Sequence, residues 1–174
     1  MASTKRPRDE AFSSVLVAVE GRKSDEEAVK LACDLLVPQK GDLFIVYIIE
    51  VERGMPLDAE IVPATAKGEE VLKHMEEVAK PYRCAIKAEL LQSRKAGLAV
   101  VQEAVGKRVD AVVLGATYRH EFGSFSMGDT VPYVLKNAPC KVLLWRDAVP
   151  HSQDINGRSG TIAGTKASNM LQTD

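Results

Sequence analysis

Apolar residues along the chain switch regularly between two spacings. Residues 15–19 and 43–49 are short apolar runs of the length and composition of buried strands. Between them, Ala28, Leu31, Leu35 and Leu36 recur at helical spacing. Ser24 with Glu27 three residues later makes a capping box before that stripe, and Pro38 and Gly41 end it. A loop with Gly54, Pro56 and Pro63 leads to a second helical stripe of Val71, Leu72, Met75, Val78 and Ala79, closed by Pro81. Residues 85–91 form a third strand, in which Lys87 and Glu89 alternate with apolar neighbours. A third helix spans about 97–106 with Leu98, Val101, Ala104 and Val105. Residues 111–114 are a fourth strand, a fourth helix follows Gly128, and 142–145 are a fifth strand.

Strands alternating with helices of this length predict βαβ units: an open, doubly wound, five-stranded parallel sheet in the α/β class, helices on both faces. The polarity of the strands predicts their order. The first, second and fourth are apolar throughout, as interior strands covered on both faces must be. The third is half polar and belongs at an edge. The fifth is apolar yet last, which places it at the opposite edge, where Val142, Leu143, Leu144 and Trp145 invite a partner strand. A homodimer through that strand is expected.

Composition narrows the function. The chain has 174 residues, 45% of them hydrophobic and 27% charged, the balance of an ordinary globule. A formal net charge of -1 gives no whole-molecule field for nucleic acid, and the basic run Lys5-Arg6-Pro7-Arg8 is answered at once by Asp9 and Glu10. No apolar run approaches the ~18 residues of a membrane span, and the opening residues lack the apolar stretch of a signal peptide. Cys33, Cys84 and Cys140 lack zinc-site spacing, so a cytoplasmic protein with reduced thiols is expected. Three regions follow: an N-terminal arm over 1–12, one domain over 13–147, and a polar tail over 148–174 rich in Ser, Gly, Thr, Asn and Gln.

In an open parallel sheet, ligands bind beyond the carboxyl ends of the strands, where the chain reverses its direction across the sheet. If the first strand lies beside the fourth, the loops after them make that crevice. The first reads Glu20-Gly21-Arg22-Lys23. The second runs from Gly115 to Thr130, with Gly123 and Gly128 inside it, and delivers the chain to a helix N-terminus.

The run Asp110-Ala-Val-Val-Leu-Gly115, the loop after it, and the segment from Gly128 to Arg146 closely resemble the C-terminal signature of universal stress proteins. The opening Val15-Leu-Val-Ala-Val-Glu-Gly21 and Tyr47-Ile-Ile-Glu50 match as well, so the resemblance covers about residues 13–146. It implies strand order 3-2-1-4-5, in agreement with the polarity argument, dimers joined through the fifth strand, and a stress-response or regulatory role. Membrane transporters are implied as partners, since domains of this family are sometimes attached to them.

The ATP-binding branch of that family carries Gly, two residues, Gly, nine residues, then Gly with Ser or Thr. Gly115 and Gly128 stand at the outer glycine positions, Tyr118 replaces the middle one, and Asp129 follows Gly128, with Thr130 one place late. Glu20 stands where the family has its acidic residue, usually Asp, after the first strand, and Ile48 where a backbone group meets adenine. The implied adenine-nucleotide site is therefore degenerate, with ATP binding weak or absent. Asp129 is expected to cap the fourth helix and compete with phosphate for its amides, with Pro132 in the first turn. At ~4 Å and an effective dielectric near 20, that repulsion costs about 4 kcal/mol as an upper bound. The alternative is a competent ATP or AMP site in which Asp129 holds a magnesium ion bridging to the phosphates.

Other readings of the same architecture fit less well. A receiver domain needs an acidic phosphoacceptor after the third strand, where this chain has Leu91-Gln92-Ser93, and no GxxxxGK[ST] loop is present. His74 falls on the polar side of the second helix, predicted solvated; His151 is in the tail, and His120 lies beside Arg119 in the long loop. His120, Asp129 and Ser124 or Ser126 are an inventory without the geometry of a triad, so no enzyme activity, catalytic residue or metal ligand is expected.

Overall fold

The computed structural model describes residues 12–36, 41–116, 119–121 and 124–146. Tyr118, residues 1–11 of the expected arm and the whole of the expected tail lie outside the described residues. The elements are β1 (Ser14–Val19), α1 (Lys23–Leu36), β2 (Asp42–Glu50), α2 (Val62–Ala79), β3 (Ala85–Ser93), α3 (Ala96–Lys107), β4 (Ala111–Ala116), β5 (Arg119–Glu121), β6 (Ser124–Ser126), α4 (Thr130–Asn137) and β7 (Lys141–Arg146).

A five-stranded sheet runs β3-β2-β1-β4-β7, all neighbours parallel, as the polarity of the strands predicts. The expected fifth strand is β7. The long loop carries an antiparallel hairpin, β5-β6, that its glycines did not announce.

Alternation along the interior strands sorts the core into two layers. Val15, Val17, Leu43, Ile45 and Val113 point to the face covered by α1 and α2, against Val29, Leu36 and Met75. Leu16, Val46, Val112 and Leu114 point to the other face, against Val100, Ala104, Val131 and Val134 of α3 and α4. Burial on both faces is why these strands read as unbroken apolar runs. Phe12, assigned by composition to the arm, packs on the first layer and lies under the Lys141 ammonium, 5.2 Å from the ring centre.

The Asp110 carboxylate ties the start of β4 to that of β1, accepting hydrogen bonds from Ser13 N (2.8 Å), Ser13 Oγ (2.7 Å) and Ser14 N (2.9 Å). These bonds hold its pKa below the ordinary 3.8, the Ser13 hydroxyl contributing most. His74, although exposed, is not simply solvated: its Nε2 lies 3.0 Å from Glu26 on α1. Among the described residues no helix is long and apolar enough to cross a membrane.

Candidate functional site

A crevice opens because both neighbours of β1 run past the end of their ladders with it. Its ladder with β2 ends at the pair Val19 and Tyr47, but β2 continues to Glu50 against β3. Its ladder with β4 ends at Ala18 and Leu114, but β4 continues to Ala116 against β7. Two strand ends therefore overhang β1 and expose backbone edges toward each other, at the point where the chain reverses direction. The resulting cleft has a volume of about 420 Å³. Glu20, Ile48, Gly115, Gly128, Asp129 and Thr130 all line it, so the structure brings together every described candidate residue. Ile48 sits just past the last β1–β2 pair, which leaves its backbone on the open side of β2.

The first wall is the turn from β1 into α1. Asp25 closes it: one carboxylate oxygen accepts from Glu20 N (2.8 Å) and Arg22 N (2.9 Å). Asp25 is buried, and desolvation raises its pKa above 3.8, partly offset by those backbone bonds and the Arg22 charge. Arg22 in turn pairs with the Glu20 carboxylate. Sequence reasoning singled out Glu20 and missed Asp25; a carboxylate in the first turn of α1 was the available signal.

The second wall begins at Gly115. A Cβ placed there would meet the other Asp25 oxygen at 2.5 Å and the backbone C and O of Ser24 at 2.8 Å. Glycine is required so that the first turn of α1 can press against the end of β4. This requirement is met inside the protein itself, whatever the cleft holds.

The third wall is the entry to α4. Gly128 has φ +69°, the left-handed region that favours glycine. Asp129 is the N-cap, its carbonyl accepting from Tyr133 N at 3.3 Å, but its side chain makes no capping hydrogen bond. The expected cap is therefore absent, because αR backbone at Asp129 (φ −87°, ψ −29°) replaces the extended conformation that aims a side chain at the following amides. Asp129 is exposed to solvent, so its field is screened more strongly than the sequence argument assumed. Pro132, in the first turn, donates no N–H.

The remaining rim is built from β2, α2 and α3. Glu50 Oε1 accepts from Ala96 N (2.6 Å), capping α3 from another strand where Lys95, its own N-cap, gives no side-chain bond. Lys67 reaches the cleft from α2. The Arg94 guanidinium holds the loop after β2 through the carbonyls of Val51 (3.3 Å), Glu52 and Met55 (2.8 Å), and Gln92 holds Ala59 O at 2.9 Å. Among the described residues the cleft thus carries four carboxylates, Glu20, Asp25, Glu50 and Asp129, against two cations, Arg22 and Lys67.

Comparison with known proteins agrees with this architecture. The model of the universal stress protein family matches residues 11–146. A curated universal stress protein of Methanocaldococcus jannaschii is 25% identical over 145 residues, covering 80% of this chain and 85% of that protein. The solved structure of a universal stress protein from Archaeoglobus fulgidus superposes with TM-score 0.65 at 16% identity, covering 77% of this chain and 98% of that one. One from Arabidopsis thaliana, with AMP bound, gives TM-score 0.58 at 16% identity, covering 80% of this chain and 97% of that one. With its match over nearly the whole described domain, its strand order and its cleft above β1, the chain belongs to the universal stress protein family.

Proposed function

We propose that this protein is a non-enzymatic stress-response regulator whose cleft takes an adenine nucleoside or its monophosphate and binds ATP weakly or not at all. The excess of carboxylates over cations in the cleft carries this reading. The exposed backbone edge of β2 beyond Tyr47, with Ile48 beside it, suits the flat, hydrogen-bonding rim of an adenine. Beyond it, Lys67 and the Thr130 and Val131 amides suffice for a single phosphate at the α4 N-terminus. Arg22 is engaged by Glu20, so little positive charge is left for a second or third phosphate. The Arabidopsis thaliana relative holding AMP supports the same ligand class.

Because Asp129 is exposed, its contribution is smaller than ~4 kcal/mol. At ~4 Å in a water-like dielectric the repulsion is about 1 kcal/mol, roughly fivefold in affinity. Its freedom from capping favours one second reading, a magnesium ion on Asp129 that bridges to ATP. Among the described residues no group of three His, Cys, Asp or Glu side chains could hold a metal, so phosphate oxygens would have to complete such a shell.

Calorimetry with ATP, AMP and adenosine, with and without magnesium, separates the readings. Adenosine and AMP are expected to bind at least as well as ATP, and Asp129→Ser with Tyr118→Gly to improve ATP selectively. Tight, magnesium-dependent ATP binding by the parent protein would establish the second reading instead. The same proposal pairs two copies through the open edge of β7, where Leu144 is exposed and Val142 and Leu143 are half-buried. The expected membrane-transporter partner would then meet a dimer.

A further inference from the structure

Cys33 and Cys84 lie 51 positions apart in sequence, yet their sulfurs touch at 3.7 Å, Cys84 donating an S–H···S contact to Cys33. Cys33 is on α1, fully buried in the core layer beneath that helix, and Cys84 immediately precedes β3 at the opposite end of the sheet from the cleft. The two thiols differ in access. Cys84 is half-buried, packed at the margin of the core layer, whereas Cys33 has no exposed surface. Both are free thiols, and Cys140 is a third elsewhere.

We propose that Cys33 and Cys84 form a reversible oxidation site at which a hydroperoxide converts the touching thiols into a disulfide joining α1 to the start of β3. The difference in access assigns the roles. The Cys84 thiolate attacks the outer oxygen of the hydroperoxide, the O–O bond breaks, and the departing alkoxide or hydroxide takes the thiol's proton. Cys84 becomes a sulfenic acid. Cys33 then attacks the Cys84 sulfur, the S–O bond breaks, and the hydroxyl leaves as water with the Cys33 proton. Two thiols and ROOH give one disulfide, ROH and water. Burial pushes the Cys33 thiol well above its ordinary pKa, with the neighbouring Cys84 adding to it, so Cys33 is the poorer nucleophile. The second step is therefore the slower one, and it is sustained by contact rather than by thiolate supply.

The site goes beyond the nucleotide reading and stands without it, because the pair lies at the far end of the sheet from the cleft. The test treats the full reduced chain with hydrogen peroxide, blocks remaining thiols by alkylation, and digests without reductant for mass spectrometry. The expected product is a Cys33–Cys84 linked peptide, two hydrogens lighter than its parts and released by dithiothreitol. Cys33→Ser should leave Cys84 as a sulfenic acid that dimedone traps, and Cys84→Ser should abolish the link and leave Cys33 unmodified. Closing a loop of roughly fifty residues should raise the melting temperature of the oxidised protein by on the order of 10 °C, reversed by reduction. Cys84 oxidised without linkage, or links to Cys140 as abundant as those between Cys33 and Cys84, would overturn the assignment.

Discussion

Gly115→Ala isolates what the glycine at the end of β4 contributes apart from any ligand. The added methyl would stand 2.5 Å from an Asp25 oxygen and 2.8 Å from the carbonyl carbon and oxygen of Ser24. Two of the three obstacles are backbone, so no rotamer change removes the clash. The first turn of α1 must move off β4, or β4 must bend. Overpacking of this kind costs roughly 1–3 kcal/mol. Displacing Asp25 also loosens its bonds to Glu20 N and Arg22 N, and a hydrogen bond to a charged acceptor is worth about 1.5–3 kcal/mol. Against this, Ala restricts the unfolded chain and returns about 0.4–1 kcal/mol. The net expectation is a loss of about 2–3 kcal/mol. Urea unfolding followed by circular dichroism reads it as a midpoint lowered by about 1–1.5 M at unchanged slope, for a slope near 2 kcal/mol/M. Adding Asp25→Ala should not restore the loss, since the Ser24 backbone contacts persist. A midpoint within about 0.2 M of the parent, or full rescue by the second substitution, would refute the packing argument.

Asp110→Ala removes the acceptor shared by Ser13 and Ser14 and should cost about 1–2 kcal/mol, discounted because the carboxylate is exposed. Asp110's folded pKa is depressed, so its stabilisation is present above pH 3.8 and lost as pH falls through the folded value; urea midpoints of parent and variant should converge only in acid. Asp25 carries the opposite sign. Its folded pKa is raised, so the parent should gain stability relative to Asp25→Asn as pH falls from neutrality, the gain being complete below 3.8; a gap that widens with rising pH in the parent's favour would contradict the burial argument. For the proposed dimer, Leu144→Lys is the cleaner probe, because Leu144 is exposed whereas Trp145 packs against the core layer and its replacement would disturb that packing as well. Sedimentation should show association weakened at least tenfold; a parent protein that stays monomeric at high concentration would dismiss the β7 pairing.

The sheet was legible because burial on two faces writes itself as uninterrupted apolar runs in β1, β2 and β4, and half-burial as the Lys87 and Glu89 alternation in β3. The walls of the cleft were legible where a residue acts on its immediate neighbours, as Gly128 does. The contacts that give the cleft its shape were not. Asp25 closes a turn from within the helix that follows it, Glu50 caps a helix 46 residues away, and Arg94 reaches carbonyls about 40 positions upstream. Nothing in local spacing reports such pairs, because the sheet brings them together only after folding. Asp129 was misjudged for a related reason: residue type favours a cap, but one backbone turn in the αR region decides where the carboxylate points.

The Arg94 clasp has a consequence for how this domain can diversify. Its guanidinium grips the carbonyl oxygens of Val51, Glu52 and Met55, groups that every amino acid possesses. The path of the loop beside the cleft is thus held in large part through its backbone by residues outside it, while the side chains of Glu52, Arg53, Met55 and Leu57 are exposed to solvent. Related chains could rewrite this stretch freely at little thermodynamic cost, as long as the arginine stays. The loop is a place where a fixed backbone path can present changing chemistry to whatever approaches the mouth of the cleft.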